Sequence, residues 1–196
     1  MNVPWKSALA VLFLLPTRAL AIDATIWTEL ARTAKLEAHF EQVQERKVLK
    51  APLTSKGSVK FERGTTALTW KVDSPSRSTF SLLGKVAKME YPDLGMSETI
   101  DLAQVPDASR LATSLLVWMQ ADASAVSRDF TPSYTADTAV LKPKDPTLAG
   151  LLSEIRITVV PGPWRVRTVD LVEPDGDKVH ITFSGVMLDG KAVADP

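Results

Sequence analysis

The chain has 196 residues, with 23 basic and 23 acidic side chains, two histidines and no cysteine. Such a balance gives no electrostatic basis for holding nucleic acid or an anionic membrane surface. The missing thiols exclude disulfides, a cysteine nucleophile and a thiolate metal site, so burial alone must hold the fold.

Residues 1–21 have the three-part layout of a cleavable export signal. Lys6 supplies the positive end, Ala8 to Leu15 the apolar stretch, and Ala19-Leu20-Ala21 a small-x-small cleavage site. The apolar stretch is far shorter than the roughly 20 residues a membrane span needs. Cleavage there leaves residues 22–196 as one domain, with 21 bases, 23 acids and a net charge of −2. No cysteine stands at the cleavage point to carry a lipid, so the expected product is periplasmic and not lipid-anchored.

Helical spacing of Ile26, Trp27, Leu30, Ala31 and Ala34 predicts a helix over residues 23–35, with Asp23 as its cap. From Leu36 the period drops to two: Leu36, Ala38 and Phe40 alternate with Glu37, His39 and Glu41, and Glu45 to Lys50 reads as a turn. Val59 and Phe61, then Leu68, Trp70 and Val72, alternate with polar residues around Gly64-Thr65-Thr66, which predicts an antiparallel hairpin with one apolar face. Two weaker strands, Thr79 to Leu83 and Lys85 to Tyr91, flank Gly84. A second helix is predicted from Pro106-Asp107 to about Gln120. It carries an apolar stripe through Leu111, Leu115 and Trp118 or Met119, with Leu116 beside it. Ser127 to Pro132 and Thr138 to Lys142 read as short strands, and Asp145 opens a helical turn. Three strands follow, around Ile155 to Val159, Trp164 to Glu173 and Lys178 to Gly185, the last after an Asp175-Gly176 type I′ turn signal. The tail from Leu188 is expected to fray. The fold class is therefore α+β: a mostly antiparallel sheet whose apolar face two helices cover.

No motif for chemistry emerges. There is no G-x-S-x-G elbow and no glycine-rich phosphate loop, and Asp175-Gly176-Asp177 lacks the further ligands of a calcium loop. His39 and His180 fall on the polar faces of their strands. No catalytic residue, metal or cofactor is assigned. Arg63 stands out. Continued alternation from Val59 and Phe61 would place its guanidinium on the apolar face, where a charge must be hydrogen-bonded. A strand ending near Glu62 would instead leave it a solvated turn residue. Periodicity alone leaves both readings open.

His39-Phe40-Glu41-Gln42, Gly57 to Arg63, Leu68-Thr69-Trp70 and Ser74-Pro75 together resemble the LolA family of periplasmic outer-membrane lipoprotein carriers. The pattern is F-x-Q, G-x-hydrophobic, a basic step, then hydrophobic-x-W leading to Pro. The family's Pro after the Arg is Gly64 here, which marks a divergent branch whose cargo could equally be a pigment or glycolipid. The resemblance implies an unclosed antiparallel β-barrel with an N-terminal helix and inserted lid helices over an apolar cavity. It implies that Arg63 latches the lid. Val59, Phe61, Leu68, Trp70, Phe80 and Leu82 would line the wall, and Leu115, Leu116 and Met119 the lid. Acyl chains of lipoproteins or a related lipid would be the ligand, an inner-membrane release complex and an outer-membrane receptor the partners, and a monomer the working form. A sensor or chaperone domain binding protein on the same fold is the alternative.

Overall fold

A computed structural model describes residues 22–105 and 116–195. The predicted export signal, and Leu111 and Leu115 of the predicted mid-chain helix, lie outside the described residues. The molecule is built on one twelve-stranded antiparallel sheet. Its strands are β1 (Lys35–Glu45), β2 (Leu53–Glu62), β3 (Ala67–Ser74), β4 (Ser78–Leu83), β5 (Val86–Tyr91), β6 (Met96–Asp101), β7 (Phe130–Thr135), β8 (Thr138–Pro143), β9 (Glu154–Val160), β10 (Arg165–Val172), β11 (Lys178–Leu188) and β12 (Lys191–Ala192). The spatial order is β6-β5-β4-β3-β2-β1-β11-β10-β9-β8-β7, with β12 beside β11. β6 and β7 end the series without pairing to each other, so the barrel is not closed. The helices are α1 (Thr25–Ala31), α2 (residues 116–120), α3 (Ala123–Asp129) and α4 (Pro146–Ala149).

Alternation makes the inner face. Ala38 and Phe40 of β1, Val59 and Phe61 of β2, Ile155, Ile157 and Val159 of β9, and Val179, Ile181 and Phe183 of β11 are all buried, while their neighbours face water. α1 packs Ile26, Trp27 and Leu30 against this face. The Trp27 indole N–H donates to the Tyr134 hydroxyl at 2.9 Å, tying α1 to β7 at the far edge of the sheet. Leu116 to Met119 of α2 are buried together with the same core.

Several elements differ from expectation. α1 is shorter than residues 23–35, because the chain turns at Thr33 and Ala34 to enter β1. β1 runs on to Glu45 and β2 begins at Leu53, so the predicted turn is displaced toward residues 46–52. Residues 123–129 form a helix where Ser127 was expected to begin a strand. The Asp122 carboxylate caps it, accepting from the Ser124 and Ala125 amides at 2.8 and 3.2 Å. The Ser124 hydroxyl, donating at 2.6 Å, and then these amides hold the Asp122 carboxyl below its ordinary range. β6 carried no alternation to detect, since nearly all of it is exposed. Asp175-Gly176 does not form a two-residue turn. Only Gly176 has positive φ, at 92°, and the loop closes through the Glu173 amide on the Asp177 carbonyl. The tail does not fray at Leu188: β12 pairs with β11, and the buried Arg165 donates to the Ala194 carbonyl at 2.7 Å.

At Gly57 the sheet leaves no room for a side chain. A Cβ there would sit 1.8 Å from the Lys71 carbonyl oxygen and 2.8 Å from the tip of the Phe40 ring. Phe40 lies directly opposite on β1 and covers the bare backbone. Gly57→Ala should therefore force β2 and β3 apart and lower stability by about 3 kcal/mol, at the upper end of overpacking costs. Urea unfolding checks this, and an unchanged midpoint would contradict it.

Candidate functional site: a latched apolar cavity

Between the inner face and α2 lies a cavity of about 360 Å³. Leu68, Trp70, Phe80 and Met89 from β3, β4 and β5 form one side. Val169, Leu171 and Ile181 from β10 and β11 form the other, and Leu116, Trp118 and Met119 of α2 form the roof. Among the described residues, Gln42 of β1 is the one lining residue with a carboxamide, and no lining residue is charged. An aromatic series links sheet to roof. Phe40 stacks on Trp70 with ring centres 4.1 Å apart, Trp70 meets Phe183 edge-on at 6.2 Å, and Phe183 meets Trp118 at 5.9 Å.

β2 ends at Glu62, yet Arg63 is not a solvated turn residue. Its backbone amide donates to the Ala34 carbonyl at 2.9 Å, which fixes it under the end of α1. The half-buried guanidinium then distributes four hydrogen bonds over two helix ends. Nε donates to the Thr33 carbonyl at 2.9 Å and Nη2 to that of Leu30 at 3.1 Å. Nη1 donates to the Met119 carbonyl at 2.9 Å and also to that of Gln120. The last carbonyls of any helix lack partners within it, and the negative end of the helix dipole lies there. A planar cation with five donors answers both needs at once. Burial lowers the affinity of Arg63 for its proton and Asp189 acts against that, but the group begins so high that it remains charged. Its Cζ sits 5.7 Å from the centre of the Phe61 ring.

The sequence-derived site residues divide. Leu68, Trp70, Phe80, Leu116 and Met119 all meet at the cavity. Val59 and Leu82 are buried in the packed core and do not line it. Phe61 lies with Leu30 and Arg63 around a separate gap of about 30 Å³. Leu115 lies outside the described residues. Gln42, Met89, Val169, Leu171 and Ile181 line the cavity without having been singled out. For Gln42 the signal existed: it keeps the parity of Ala38 and Phe40.

Two polar clusters lie elsewhere. On the outer face, Asp170 approaches His180 Nδ1 at 2.5 Å, and Thr182 approaches Nε2 at 3.1 Å. All three are on the side of the sheet away from the cavity, and His180 and Thr182 are exposed. The carboxylates of Glu173, Asp175 and Asp177 come within 4.8 Å of one another. Arg46 binds both Glu173 and Asp177, and Lys47 donates its amide to Asp177 at 2.8 Å.

The family described as outer membrane lipoprotein carrier protein LolA matches residues 31–195. The chain belongs to the LolA family. The sequence matches none of the curated proteins. Among solved structures, it is similar to a LolA superfamily protein from Nitrosomonas europaea at 10% identity, covering 90% of this chain and 96% of that one, with a TM-score of 0.43. An outer membrane lipoprotein-sorting protein domain from Vibrio parahaemolyticus aligns at 12% identity over 85% and 92%, with a TM-score of 0.47. The lipoprotein LppX of Mycobacterium tuberculosis aligns at 9% identity over 89% and 100%, with a TM-score of 0.45. Among the described residues, no helix is long and apolar enough to cross a membrane.

The latch geometry makes a prediction for this LolA-family chain. Arg63→Leu should leave four helix-end carbonyls without their donor and raise amide exchange in α2 and the start of α3 at least tenfold. Arg63→Lys, a point charge without the fork, should restore protection only in part. Exchange read by mass spectrometry would contradict the latch if residues 116–126 stayed as protected in Arg63→Leu as in the parent.

Proposed function

We propose that this protein is a periplasmic carrier that takes up acyl chains of lipoproteins, or of a related lipid, and moves them toward the outer membrane. The observation that carries the reading is the cavity: space of about 360 Å³ walled almost entirely by apolar side chains and roofed by a helix held through one arginine. At ~24 cal/mol per Å³, filling such space with side chains would add several kcal/mol of stability. A chain retained only for its fold has every reason to fill it.

Magnitudes support a carrier that both loads and unloads. Each methylene taken out of water is worth about 0.8 kcal/mol, so a sixteen-carbon chain gains on the order of 10 kcal/mol. Hydrogen bonds to a charged group contribute about 1.5–3 kcal/mol each, and the carbonyls freed on opening regain water. Breaking the hydrogen bonds between α2 and Arg63 therefore costs a few kcal/mol, and the cargo chain replaces apolar contacts that the buried side chains of α2 give up. At roughly 30 Å³ per water-sized group, the cavity has room for about a dozen methylenes, most of one such chain. Export by residues 1–21 would place the carrier in the periplasm, where an inner-membrane release complex would donate cargo and an outer-membrane receptor would accept it.

Organic extraction of protein purified from the periplasm, followed by mass spectrometry, tests this. Acyl lipid should be recovered at about one chain per protein. Met89→Glu, which puts a carboxylate in the wall at a half-buried position, should recover less than a tenth of that. A lipid-free extract from the parent protein, or equal recovery from the variant, would refute the proposal.

A further inference from the structure

Gln42 is placed where the cavity wall would otherwise be hydrocarbon. It stands opposite Ile181 on β11 and opposite the buried Ser55 on β2. Its inward neighbour on β1 is Phe40, and its own side chain is half-buried at the cavity surface. Among the described residues, no group hydrogen-bonds its carboxamide. The other lining side chains offer at most the N–H groups of two indoles and no acceptor of comparable strength. Among the described residues, no cation lines the space either. Arg63, with its donors on helix-end carbonyls, borders only the separate gap near Phe61.

These facts set the ligand's chemistry at that point. An ionised carboxylate or phosphate brought there would lose its water with no counter-charge among the described residues to replace it. A carboxamide donates two hydrogen bonds and accepts others, so it pairs with an uncharged carbonyl and with an amide N–H equally well. Resting on the carrier reading above, we infer that Gln42 is the specificity-determining contact for the carbonyl end of a neutral acyl ester or amide, and that free fatty acids are discriminated against. The hydrocarbon tail then runs along Trp70 and Phe80 beneath α2, with the carbonyl end at β1.

The test uses delipidated full-length mature protein and an environment-sensitive fluorescent dye displaced from the cavity by dodecanamide, dodecane or dodecanoate above neutral pH. Gln42→Met keeps the length and shape of the side chain and removes its hydrogen bonds. The ratio of dodecanamide to dodecane affinity should fall three- to tenfold in Gln42→Met, the worth of about one neutral hydrogen bond, while dodecane binds as well or better. The parent protein, which needs no variant to fold, should bind dodecanamide more tightly than dodecanoate. An unchanged amide-to-alkane ratio, or dodecanoate bound as tightly as the amide by the parent, would overturn the role of Gln42 while leaving a lipid cavity standing. Failure of all three probes to displace the dye would remove the carrier reading and this inference together.

Discussion

Two helix C-termini meet over the sheet of this LolA-family protein, and both leave carbonyls that need donors. Arg63 answers them with one guanidinium: Nε and Nη2 serve the end of α1, and Nη1 the end of α2. The partners are carbonyl dipoles, not a carboxylate in direct contact. That choice sets the strength of the closure. A buried ion pair would cost several kcal/mol to separate once formed. Carbonyls at a helix end can exchange a guanidinium for water, so the proposed release of the roof would break hydrogen bonds without separating an ion pair. Position fixes the rest, because the Arg63 amide is itself bonded to Ala34 at the turn between α1 and β1.

The sheet supplies what the latch closes over. Because β6 and β7 do not pair, the curved sheet is a trough, and the helices complete its wall. α1 is pinned across the trough by Trp27 and Tyr134, and α2 meets the floor through Trp118 and Phe183. On the β8–β9 side, Leu141, Ile155 and Ile157 pack solidly with no exposure. On the β3–β5 side, Trp70, Phe80 and Met89 stay only partly covered. One continuous apolar face is thus solid core at one end and borders open space at the other. Over the bare backbone of Gly57, Phe40 reaches Trp70 and stacks on it with ring centres 4.1 Å apart.

Period-two patterning made the hairpin of β2 and β3 legible, and with it the inward set of Val59, Phe61, Leu68 and Trp70. It could not say which of these face packed neighbours and which face open space, since both environments select the same apolar residues. Val59 and Leu82 lie in the first, Trp70 and Phe80 in the second. For Arg63 the register left an inward guanidinium and a solvated turn residue equally open, and only the family resemblance favoured the first; the strand does stop at Glu62, yet the guanidinium is held on helix-end carbonyls. Gln42 obeyed the same register, but a polar residue reads as a change of face unless its neighbours across the sheet are known. β6 and β12 pair along exposed positions, where backbone hydrogen bonds decide and side chains carry no pattern. α3 depends on one cap at Asp122 ahead of small residues, a signal too local to outweigh the β-like residues that follow.

The central claim is that the space beneath α2 admits a hydrocarbon chain. Trp70 and Trp118 line it, whereas Trp27 is sealed in the core and Trp164 borders only the separate gap near Arg63. Titration with acyl amides brominated along the chain should quench tryptophan fluorescence saturably, at about one ligand per protein. That quenching should disappear when Trp70 and Trp118 are both replaced by phenylalanine. Quenching that never saturates, or that persists undiminished with only Trp27 and Trp164 left in the mature chain, would contradict the account.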